Sequence, residues 1–468
     1  MSKSKKISAI ILCIVLVFAV IGASAYITLG YSQPYGEIET YTVGDGQSLK
    51  VGILSDSQLP GAGGENDLTK KLEETLLNFK KQDVNVIVHA GDFTDLATKE
   101  AWQSFVDTYE KVYKENGPVK SFILGNHDHW LDYFTKCWEV ATPAKMQKRF
   151  MKYTGEKPYS HKVINGYHFI GWSSSNGSYD KCNTNVEWIK EQLDIAVKDD
   201  AQKPIFVITH LNPKGTVFGS EDWGNEDIYN VLKDYPQVVS LSGHSHYSLL
   251  DERSIYQGEF TAVNTQTIDY VTADFDKENG GIPSDAYGNN VATDSPMAMI
   301  MQITDSKVEI NRMNAVKGDF VKSPWVLTKP YDKSTFKYTN EIKTAGNKSP
   351  YFDVQLDAQI KDAKNIDGEK IKILSFNAAK DDDFVYSYKL IFKDKNGKLL
   401  EFKKSDDENA QNVSQAEYLS DFVGGLDKMS NRAELRLPKN LPDTAAIITV
   451  SAIDSYGEES AVIDFIIE

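Results

Sequence analysis

Five short motifs in the sequence carry side chains that could bind metal ions. They are Asp56-Ser57-Gln58, Gly91-Asp92-Phe93-Thr94-Asp95, Gly125-Asn126-His127-Asp128, Thr209-His210 and Gly243-His244-Ser245-His246. Together they offer carboxylate, amide and imidazole groups without a thiolate, a donor set that suits manganese, iron or zinc. A lone magnesium site would rarely use so many histidines.

The number of donors predicts more than one ion. The seven candidate ligands are Asp56, Gln58, Asp92, Asn126, His210, His244 and His246. They are too many for one tetrahedral ion and match two ions that share one carboxylate. Because two neighbouring ions can acidify a bridging water and neutralise phosphoryl oxygens, the composition of the site predicts hydrolysis of a phosphoester.

Each motif follows a short apolar run that is typical of a buried strand. The runs cover residues 49–54, 84–88, 119–124, 205–208 and 238–241. Their Val, Ile, Leu and Phe content fits strands that are buried on both faces, although periodicity alone leaves helix open. Since ligands of α/β sheets gather at the carboxyl ends of the strands, we expect the motifs to meet on one rim.

Three amphipathic stretches between these runs are predicted as helices. The first begins with Asp67 as its N-cap, the second runs from about 99 to 116, and the third from about 186 to 198. Aromatic residues line the second stretch at helical spacing, beginning with Trp102 and Phe105. Such a stripe indicates core packing rather than a binding surface.

Taken in order, the five motifs resemble the pattern of the calcineurin-like metallophosphoesterases. That pattern is D-x-H, G-D-x-x-D, G-N-H-D/E, H and G-H-x-H, and the resemblance covers roughly residues 48–320. It implies an α/β catalytic domain with an αββα sandwich, in which two mixed β-sheets are flanked by helices. It also implies a phosphoesterase in which a hydroxide held by two metals attacks phosphorus.

The resemblance also assigns roles by position in the motifs. The ligands would be Asp56, Gln58 and His246 for the first metal, Asp92 as the bridge, and Asn126, His210 and His244 for the second. His127 would contact a phosphate oxygen or protonate the leaving alkoxide, a task that suits imidazole near neutral pH. Asp95 would orient His127 from behind.

Gln58 departs from the family pattern, which has histidine at this position. An amide oxygen can bind a metal but is a weaker and harder donor than imidazole. The first metal would then be held less tightly, or be a harder ion such as manganese or iron(II). The alternative is that Gln58 is a surface loop residue and water completes the metal shell.

The remaining histidines carry weaker indications. His89, His161 and His168 are expected to be structural. His129 and Trp130 follow the third motif directly, so contact with substrate and a structural role are both open. Asn212 and Lys214 follow His210 and could edge the pocket, although exposure is the commoner explanation for a lysine.

The amino terminus predicts the compartment. Three lysines precede an uncharged stretch from Ile7 to about Leu29, and Ala23-Ser24-Ala25 offers a small-residue cleavage pattern. Residues 1–30 are therefore interpreted as a signal peptide or a signal anchor, so the body would be secreted or held outside the membrane. The body retains Cys137 and Cys182, for which a disulfide and two free thiols are equally open.

Net charge limits the partners. The chain carries a formal charge of −16, and residues 1–25 contain three Lys and no acidic residue, so the body alone carries −19. A field of this sign opposes binding to nucleic acid or to an anionic membrane surface. Only a phosphoester substrate, and possible anchoring by the N-terminal segment, are expected as partners of the catalytic part.

The length of 468 residues leaves room for a second domain. We predict a catalytic domain over 36–335, a linker within about 323–350, and an all-β sandwich over 345–468, whose Asn396-Gly397 pair indicates a hairpin turn. The segment 450–460 resembles the closing strands of fibronectin type III-like domains, and a cell-surface ligand would suit such a module. The acidic runs 381–383 and 406–408 could bind calcium but are more often solvated loops.

Two functions from different classes fit these observations. The first is an extracellular metal-dependent phosphoesterase that acts on a phosphomonoester or a phosphodiester. The alternative is a degenerate phosphoesterase that serves as a surface binding or adhesion protein through its β module, with Gln58 as its support within the motifs. The fold does not choose among phosphoester substrates.

Overall fold

The computed structural model of the protein describes residues 34–467, apart from 115, 132–141, 179–183, 275–284, 290–294, 354–356 and 404–409. The predicted signal segment, the three cysteines and the acidic run 406–408 lie outside the described residues. No helix in the described part combines the length and the apolar character that a membrane crossing requires.

The N-terminal part of the described chain alternates strands with helices. Its strands are β1 (Tyr35–Tyr41), β2 (Leu49–Leu54), β3 (Val86–His89), β4 (Val119–Phe122), β5 (Tyr159–Ile164), β6 (Tyr167–Trp172), β7 (Ile205–Thr209), β8 (Asn212–Pro213), β9 (Gly224–Asn225), β10 (Val238–Ser242), β11 (Ile255–Gln257), β12 (Thr261–Asn264), β13 (Met297–Thr304), β14 (Lys307–Asn314) and β15 (Trp325–Thr328). Its helices are Asp67–Lys81, Lys99–Tyr113, Pro143–Thr154, Val186–Asp199, Ser220–Trp223, Glu226–Leu232 and Asn340–Gly346.

Two mixed sheets are built from these strands. The first has the order β15-β14-β13-β2-β3-β4, with β2, β3 and β4 parallel to one another. The second has the order β1-β5-β6-β7-β10-β12-β11, and its strands β6, β7, β10 and β12 are parallel. All five apolar runs that precede the motifs form strands within these sheets, which confirms the strand prediction.

The burial pattern shows how the layers stack. Val86 and Val88 of β3 share a buried cluster with Phe169 of β6, so these side chains fill the space between the sheets. Ile87 of β3 belongs to a second cluster with side chains of helices Asp67–Lys81 and Lys99–Tyr113. Helices Val186–Asp199 and Glu226–Leu232 contribute to a third cluster with the outer face of the second sheet. The αββα sandwich is therefore confirmed.

The predicted helices form with small differences at their ends. Asn66, not Asp67, caps the first helix, because its side chain accepts hydrogen bonds from the backbone N–H groups of Leu68 and Thr69. The prediction of Asp67 was thus wrong by one residue, and Asp67 is the first helical residue. Trp102 and Phe105 are buried against the first sheet, which confirms that the aromatic stripe packs in the core.

The segment that was predicted as a linker is partly structured. Within 323–350, β15 pairs with the edge strand β14 of the first sheet, and Trp325 is fully buried there. Helix Asn340–Gly346 follows, and Lys343 donates from Nζ to the carbonyl of Ile255 at 2.7 Å. The linker prediction was wrong for these residues, because a four-residue edge strand leaves almost no periodic pattern in the sequence.

The C-terminal part is an antiparallel β sandwich. Its three-stranded sheet consists of β16 (Gln359–Lys364), β17 (Lys370–Asn377) and β22 (Arg432–Arg436). Its four-stranded sheet consists of β18 (Val385–Lys393), β21 (Gln415–Leu419), β23 (Ile447–Asp454) and β24 (Ile463–Ile466). Phe376 of β17 and Leu390 of β18 lie in one buried cluster, so the sheets pack face to face.

The Asn396-Gly397 turn also forms, and the chain then leaves its partner quickly. Gly397 has a φ of +80° and donates its N–H to the carbonyl of Asp394. Two further backbone bonds join the returning chain, from the Asp394 N–H to the Lys398 carbonyl and from the Leu400 N–H to the Phe392 carbonyl, each at 2.9 Å. It then enters a separate two-stranded sheet of β19 (Phe402–Lys403) and β20 (Asn412–Val413).

Candidate metal centre

The motif residues meet at one rim of the sandwich. Asp56 and Gln58 follow β2, Asp92 follows β3 and Asn126 follows β4, while His210 follows β7 and His244 and His246 follow β10. Since β2, β3 and β4 are parallel in one sheet and β7 and β10 are parallel in the other, both sheets contribute their carboxyl ends. The expectation that the motifs share one rim is thereby met.

The loops of this rim are held in an uncommon backbone conformation. Positive φ angles occur at Asp56 (50°), Gln58 (38°), Asp92 (55°), His244 (68°) and His246 (56°). Each such residue costs on the order of 1–3 kcal/mol and persists only where the surroundings fix it. Here the N–H of Asp56 donates to the Gly91 carbonyl and the N–H of Gln58 to the Asp92 carbonyl, each at 3.0 Å.

Three side chains converge at the centre of the rim. One ligand atom each of Asp92, His210 and His244 lies within 4.8 Å of the others. His210 donates from Nδ1 to the Ala90 carbonyl at 2.8 Å, which leaves Nε2 facing Asp92 Oδ2 at 3.0 Å. A carbonyl partner on one ring nitrogen is the usual way to orient a metal-binding imidazole.

A second pair lies beside the first group. His246 Nδ1 donates to the Tyr270 carbonyl at 3.0 Å, and its Nε2 lies 3.0 Å from Asp56 Oδ1. Asp56 Oδ1 is in turn 4.0 Å from His210 Nε2, so the two groups are adjacent. The structure thus brings Asp56, Asp92, His210, His244 and His246 together as two neighbouring ligand groups.

Several buried polar atoms of the rim have no hydrogen-bond partner within the described residues. They are Asp92 Oδ2, His210 Nε2, and both Oδ1 and Nδ2 of Asn126. Asp92 Oδ2 and His210 Nε2 are close together but are not aligned as a hydrogen bond. Buried polar atoms without partners are costly. Oxygen and imidazole donors of this kind fit divalent cations, which the family resemblance implies.

Gln58 is buried, with an exposed fraction of 4%. The alternative that it is a surface loop residue is therefore wrong. It lies two residues after Asp56 on the same loop, where both residues have a positive φ, and its backbone N–H donates to the Asp92 carbonyl. Ligation by the Gln58 amide stays a prediction.

The charges of the central pair depend on each other. Burial alone would raise the pKa of Asp92, but the His210 imidazolium lowers it overall. Burial would lower the pKa of His210, and the Asp92 carboxylate raises it to about 9. Burial, with His210 nearby, lowers the pKa of His244 to about 3. The charge on His210 thus compensates the Asp92 carboxylate, a role that a bound cation would take over, and binding of a cation to such a site would release protons.

His127 lies at the edge of the rim and is bound to Asp95. Its Nδ1 is 3.0 Å from the Asp95 carbonyl oxygen and 3.3 Å from Asp95 Oδ1. Its backbone N–H donates to Asp92 Oδ1 at 2.9 Å, and its ring centroid lies 3.9 Å from that of Trp130. The predicted contact between Asp95 and His127 is present, and it involves Nδ1 of the ring rather than Nε2.

A family model for the calcineurin-like phosphoesterases matches residues 49–248, which include all seven candidate ligands. This part of the chain is a calcineurin-like phosphoesterase domain. No curated protein matches the chain.

The solved structures that this chain resembles include GAP50, the anchor in the inner membrane complex of Plasmodium. It is 16% identical, with a TM-score of 0.36 and coverage of 60% of this chain and 89% of that one. The purple acid phosphatase PPD1 of yellow lupin is 13% identical, with a TM-score of 0.39 and coverage of 60% and 54%. A predicted phosphoesterase of Streptococcus pneumoniae is 11% identical, with a TM-score of 0.26 and coverage of 60% and 98%.

Asp128 of the phosphoesterase domain ties two of the ligand loops together. Its carboxylate accepts hydrogen bonds from the backbone N–H groups of Phe93, Thr94 and Gly125 at 3.0–3.3 Å, and from the Thr94 hydroxyl at 3.1 Å. It thereby fixes the loop of Asp92 against the loop of Asn126. The sequence places Asp128 in the third motif but does not indicate this role, because most of its partners are backbone groups of the second motif.

The other histidines of the phosphoesterase domain are structural. His89 is fully buried beneath the rim, 3.0 Å from Ser57 Oγ and stacked on Phe93. His161 and His168 bond to each other at 2.7 Å on β5 and β6, away from the motif loops. His129 is buried and lies 2.9 Å from the Ser174 carbonyl, so of its two open roles the structural one applies.

Asn212 and Lys214, which sequence reasoning placed at the pocket edge, differ from each other. Asn212 is fully buried and donates to the Gly243 carbonyl at 3.0 Å, so it braces the loop that precedes His244. Lys214 is exposed.

The calcium interpretation of run 381–383 gains no support, because the described residues form no metal-binding group there and Asp383 pairs with Lys322.

Proposed function

We propose that the protein is a metal-dependent phosphoesterase whose body lies outside the cell membrane and hydrolyses a phosphomonoester or phosphodiester. The observation that supports this most strongly is the group of buried Asp92 and His210 with half-buried His244, whose polar atoms converge at the carboxyl edge of both sheets. The phosphoesterase family match over 49–248 agrees with it. The external location rests on the lysines and the apolar run before residue 30.

The proposed ligands divide into two groups around a shared carboxylate. Asp56, Gln58 and His246 would hold the first ion, Asn126, His210 and His244 the second, and Asp92 both. Two divalent ions, as manganese, iron or zinc, would supply an acidified water and positive charge for the phosphoryl oxygens when bound. The acidic body would not supply that charge itself.

The chain prepares its own groups for this task. The carbonyls of Ala90 and Tyr270 hold the Nδ1 protons of His210 and His246, so both rings present Nε2 to the rim. Asp92 Oδ1 accepts from the backbone of His127 and thereby links the central carboxylate to the loop of the general acid. The two rings are thus already oriented with Nε2 toward the proposed metal ions.

His127 is the proposed proton donor. Asp95 holds its Nδ1 proton at 3.0 Å, which leaves the Nε2 proton for a phosphoryl oxygen or for the departing alkoxide. Trp130 lies against the same ring and limits its movement. A positioned acid of this kind contributes about 10²–10⁴-fold to a rate.

Two substitutions test the proposal. Asp92→Asn removes the shared charge and His127→Ala removes the acid, so each should lower hydrolysis of bis(p-nitrophenyl) phosphate or p-nitrophenyl phosphate by about 100-fold or more in Mn²⁺. Asp362→Asn, at an exposed position of β16, serves as the matched control and should keep wild-type activity. Near-wild-type activity of either site variant would refute the assignment.

A further inference from the structure

Tyr247, which directly follows His246, packs toward the C-terminal sandwich. Tyr247 is buried, and its ring centroid lies 4.5 Å from that of Phe218. Gly219 makes room for this ring, because a Cβ there would lie 2.2 Å from Tyr247 Cε2. Tyr247 is therefore held by Phe218 and by the backbone at Gly219.

Arg253 connects this aromatic pair to the β module. The guanidinium carbon lies 3.5 Å from the ring centroid of Phe218 and 5.0 Å from that of Tyr386, which belongs to β18 of the module. Asp251 holds the guanidinium with a bond of 2.6 Å from Nη2 and bonds of 3.0 Å from Nε. A guanidinium this close to an aromatic ring is attracted to the ring face, so the contact ties the two parts together.

A second route reaches His246 from its other side. The segment 270–273 supplies the Tyr270 carbonyl that accepts from His246 Nδ1, and the Thr272 N–H donates to the His246 carbonyl at 3.0 Å. Val271 and Ala273, which alternate with these residues, are buried in one cluster with module side chains. That junction cluster consists of Val271, Ala273, Phe384, Tyr386, Leu419, Phe422 and Val423.

Ion pairs flank the junction cluster. Lys322 lies between β14 and β15 of the first sheet. It is 3.1 Å from Glu252 and also pairs with Asp383 of the module. Lys317 pairs with Asp427 of the module at 2.9 Å. The exposed Lys317–Asp427 pair contributes little energy, whereas the Lys322 pairs are largely buried and add to the aromatic and aliphatic contacts of the junction cluster.

We propose that the β module is a positioning element of the metal centre. It holds the two segments that orient His246, one through Arg253, Phe218 and Tyr247, the other through Val271 and Ala273. His246 has a positive φ, and a residue in that conformation stays in place only when neighbouring contacts over-determine it. The inference rests on the proposed function to the extent that His246 binds a metal ion.

Metal affinity of the full-length protein tests this inference apart from catalysis. Tyr386→Leu removes the module's ring from Arg253 and should weaken Mn²⁺ binding about tenfold, the scale reported for groups that orient metal ligands. Phe402→Leu removes a buried aromatic ring of the module core outside the junction cluster and should change the dissociation constant less than twofold. Isothermal titration at a temperature where circular dichroism shows each variant folded gives both values.

A double-mutant cycle makes the test specific. If Arg253 and Tyr386 act through one contact, then Arg253→Ala combined with Tyr386→Leu should weaken binding no more than the larger single effect. Arg253→Lys keeps the charge for Asp251 but loses the planar contact, so it should resemble Arg253→Ala and serves if Tyr386→Leu does not fold.

The outcomes separate the two proposals. Wild-type protein that binds no Mn²⁺ contradicts the proposed function. Wild-type protein that binds Mn²⁺ while all three junction variants keep its dissociation constant overturns the positioning role alone, and equal weakening by Phe402→Leu does the same.

Discussion

At the scale of single residues, the candidate centre is defined by atoms that the fold leaves without partners. Asp92 Oδ2, His210 Nε2 and the Asn126 amide are buried at a rim where both sheets end. The types of these residues could be predicted from the sequence, because their motifs follow apolar strands. The carbonyls that orient the rings, those of Ala90 and Tyr270, could not be, since any residue can supply a backbone carbonyl.

Gln58→His is predicted to tighten binding of the first metal ion and to shift its preference toward zinc. Imidazole is a softer and stronger donor than an amide oxygen, and the position is already buried beside Asp56. Competition titrations of Zn²⁺ against Mn²⁺ should show the change. If metal content and preference equal those of the wild type, the Gln58 side chain is not a ligand.

Asp128→Ala is predicted to lower both metal affinity and stability. The substitution leaves the N–H groups of Phe93, Thr94 and Gly125 without their acceptor, and each buried donor left unpaired costs about 1–3 kcal/mol. Urea unfolding and Mn²⁺ titration measure the two effects. Asp305→Ala, which loses only a bond from the Tyr167 hydroxyl, is the control. Unchanged metal affinity in Asp128→Ala would show that the clamp does not position the ligands.

At the scale of elements, the local sequence pattern was enough to predict a strand or a helix where the apolar run is long or strongly periodic. The five strands behind the motifs and the three amphipathic helices appear where they were predicted. The short strand β15 did not stand out, because its burial depends on pairing with β14 and on the Trp325 contact with Arg312. The early end of the hairpin after Gly397 also depends on a partner strand that lies further along the chain.

A buried histidine pair on β5 and β6 gives an element-scale prediction. Burial lowers the pKa of His161 to about 4, from 6.5 in the unfolded chain. Its contribution to stability is therefore complete above pH 6.5 and is lost as the pH falls toward 4. Between pH 7 and 4.5 the wild type should lose about 2 kcal/mol more unfolding free energy than His161→Gln.

Urea denaturation of both proteins at the two pH values measures this difference directly. His161→Gln keeps a polar side chain beside Gln192 and His168, so a difference between the two proteins cannot come from the loss of a polar group at this position. Parallel pH dependences for the two proteins would show that His161 does not carry the acid sensitivity.

At the scale of the whole molecule, the sequence predicted a catalytic body and a β module but not the contact between them. Composition and turn residues are local properties and reveal a sandwich. The junction joins residues far apart along the chain, such as Arg253 and Tyr386, and no local pattern marks such a pair. The boundaries 36–335 and 345–468 remain predictions, as does the external location.

The proposed metal centre would explain how so acidic a protein could bind an anionic substrate. The body carries a formal charge of −19 without residues 1–25, a field that repels phosphoesters. Positive charge at the rim would have to come from bound ions, so hydrolysis should require metal loading.

Metal loading measured together with hydrolysis tests the central claim most directly. Full-length protein is freed of metal by a chelator and titrated with Mn²⁺, and metal content and hydrolysis of both chromogenic esters are followed at each step. The account predicts about two ions per chain at saturation and hydrolysis that appears as the second ion binds. A protein that binds no metal, or that binds two ions and hydrolyses neither ester, would contradict it.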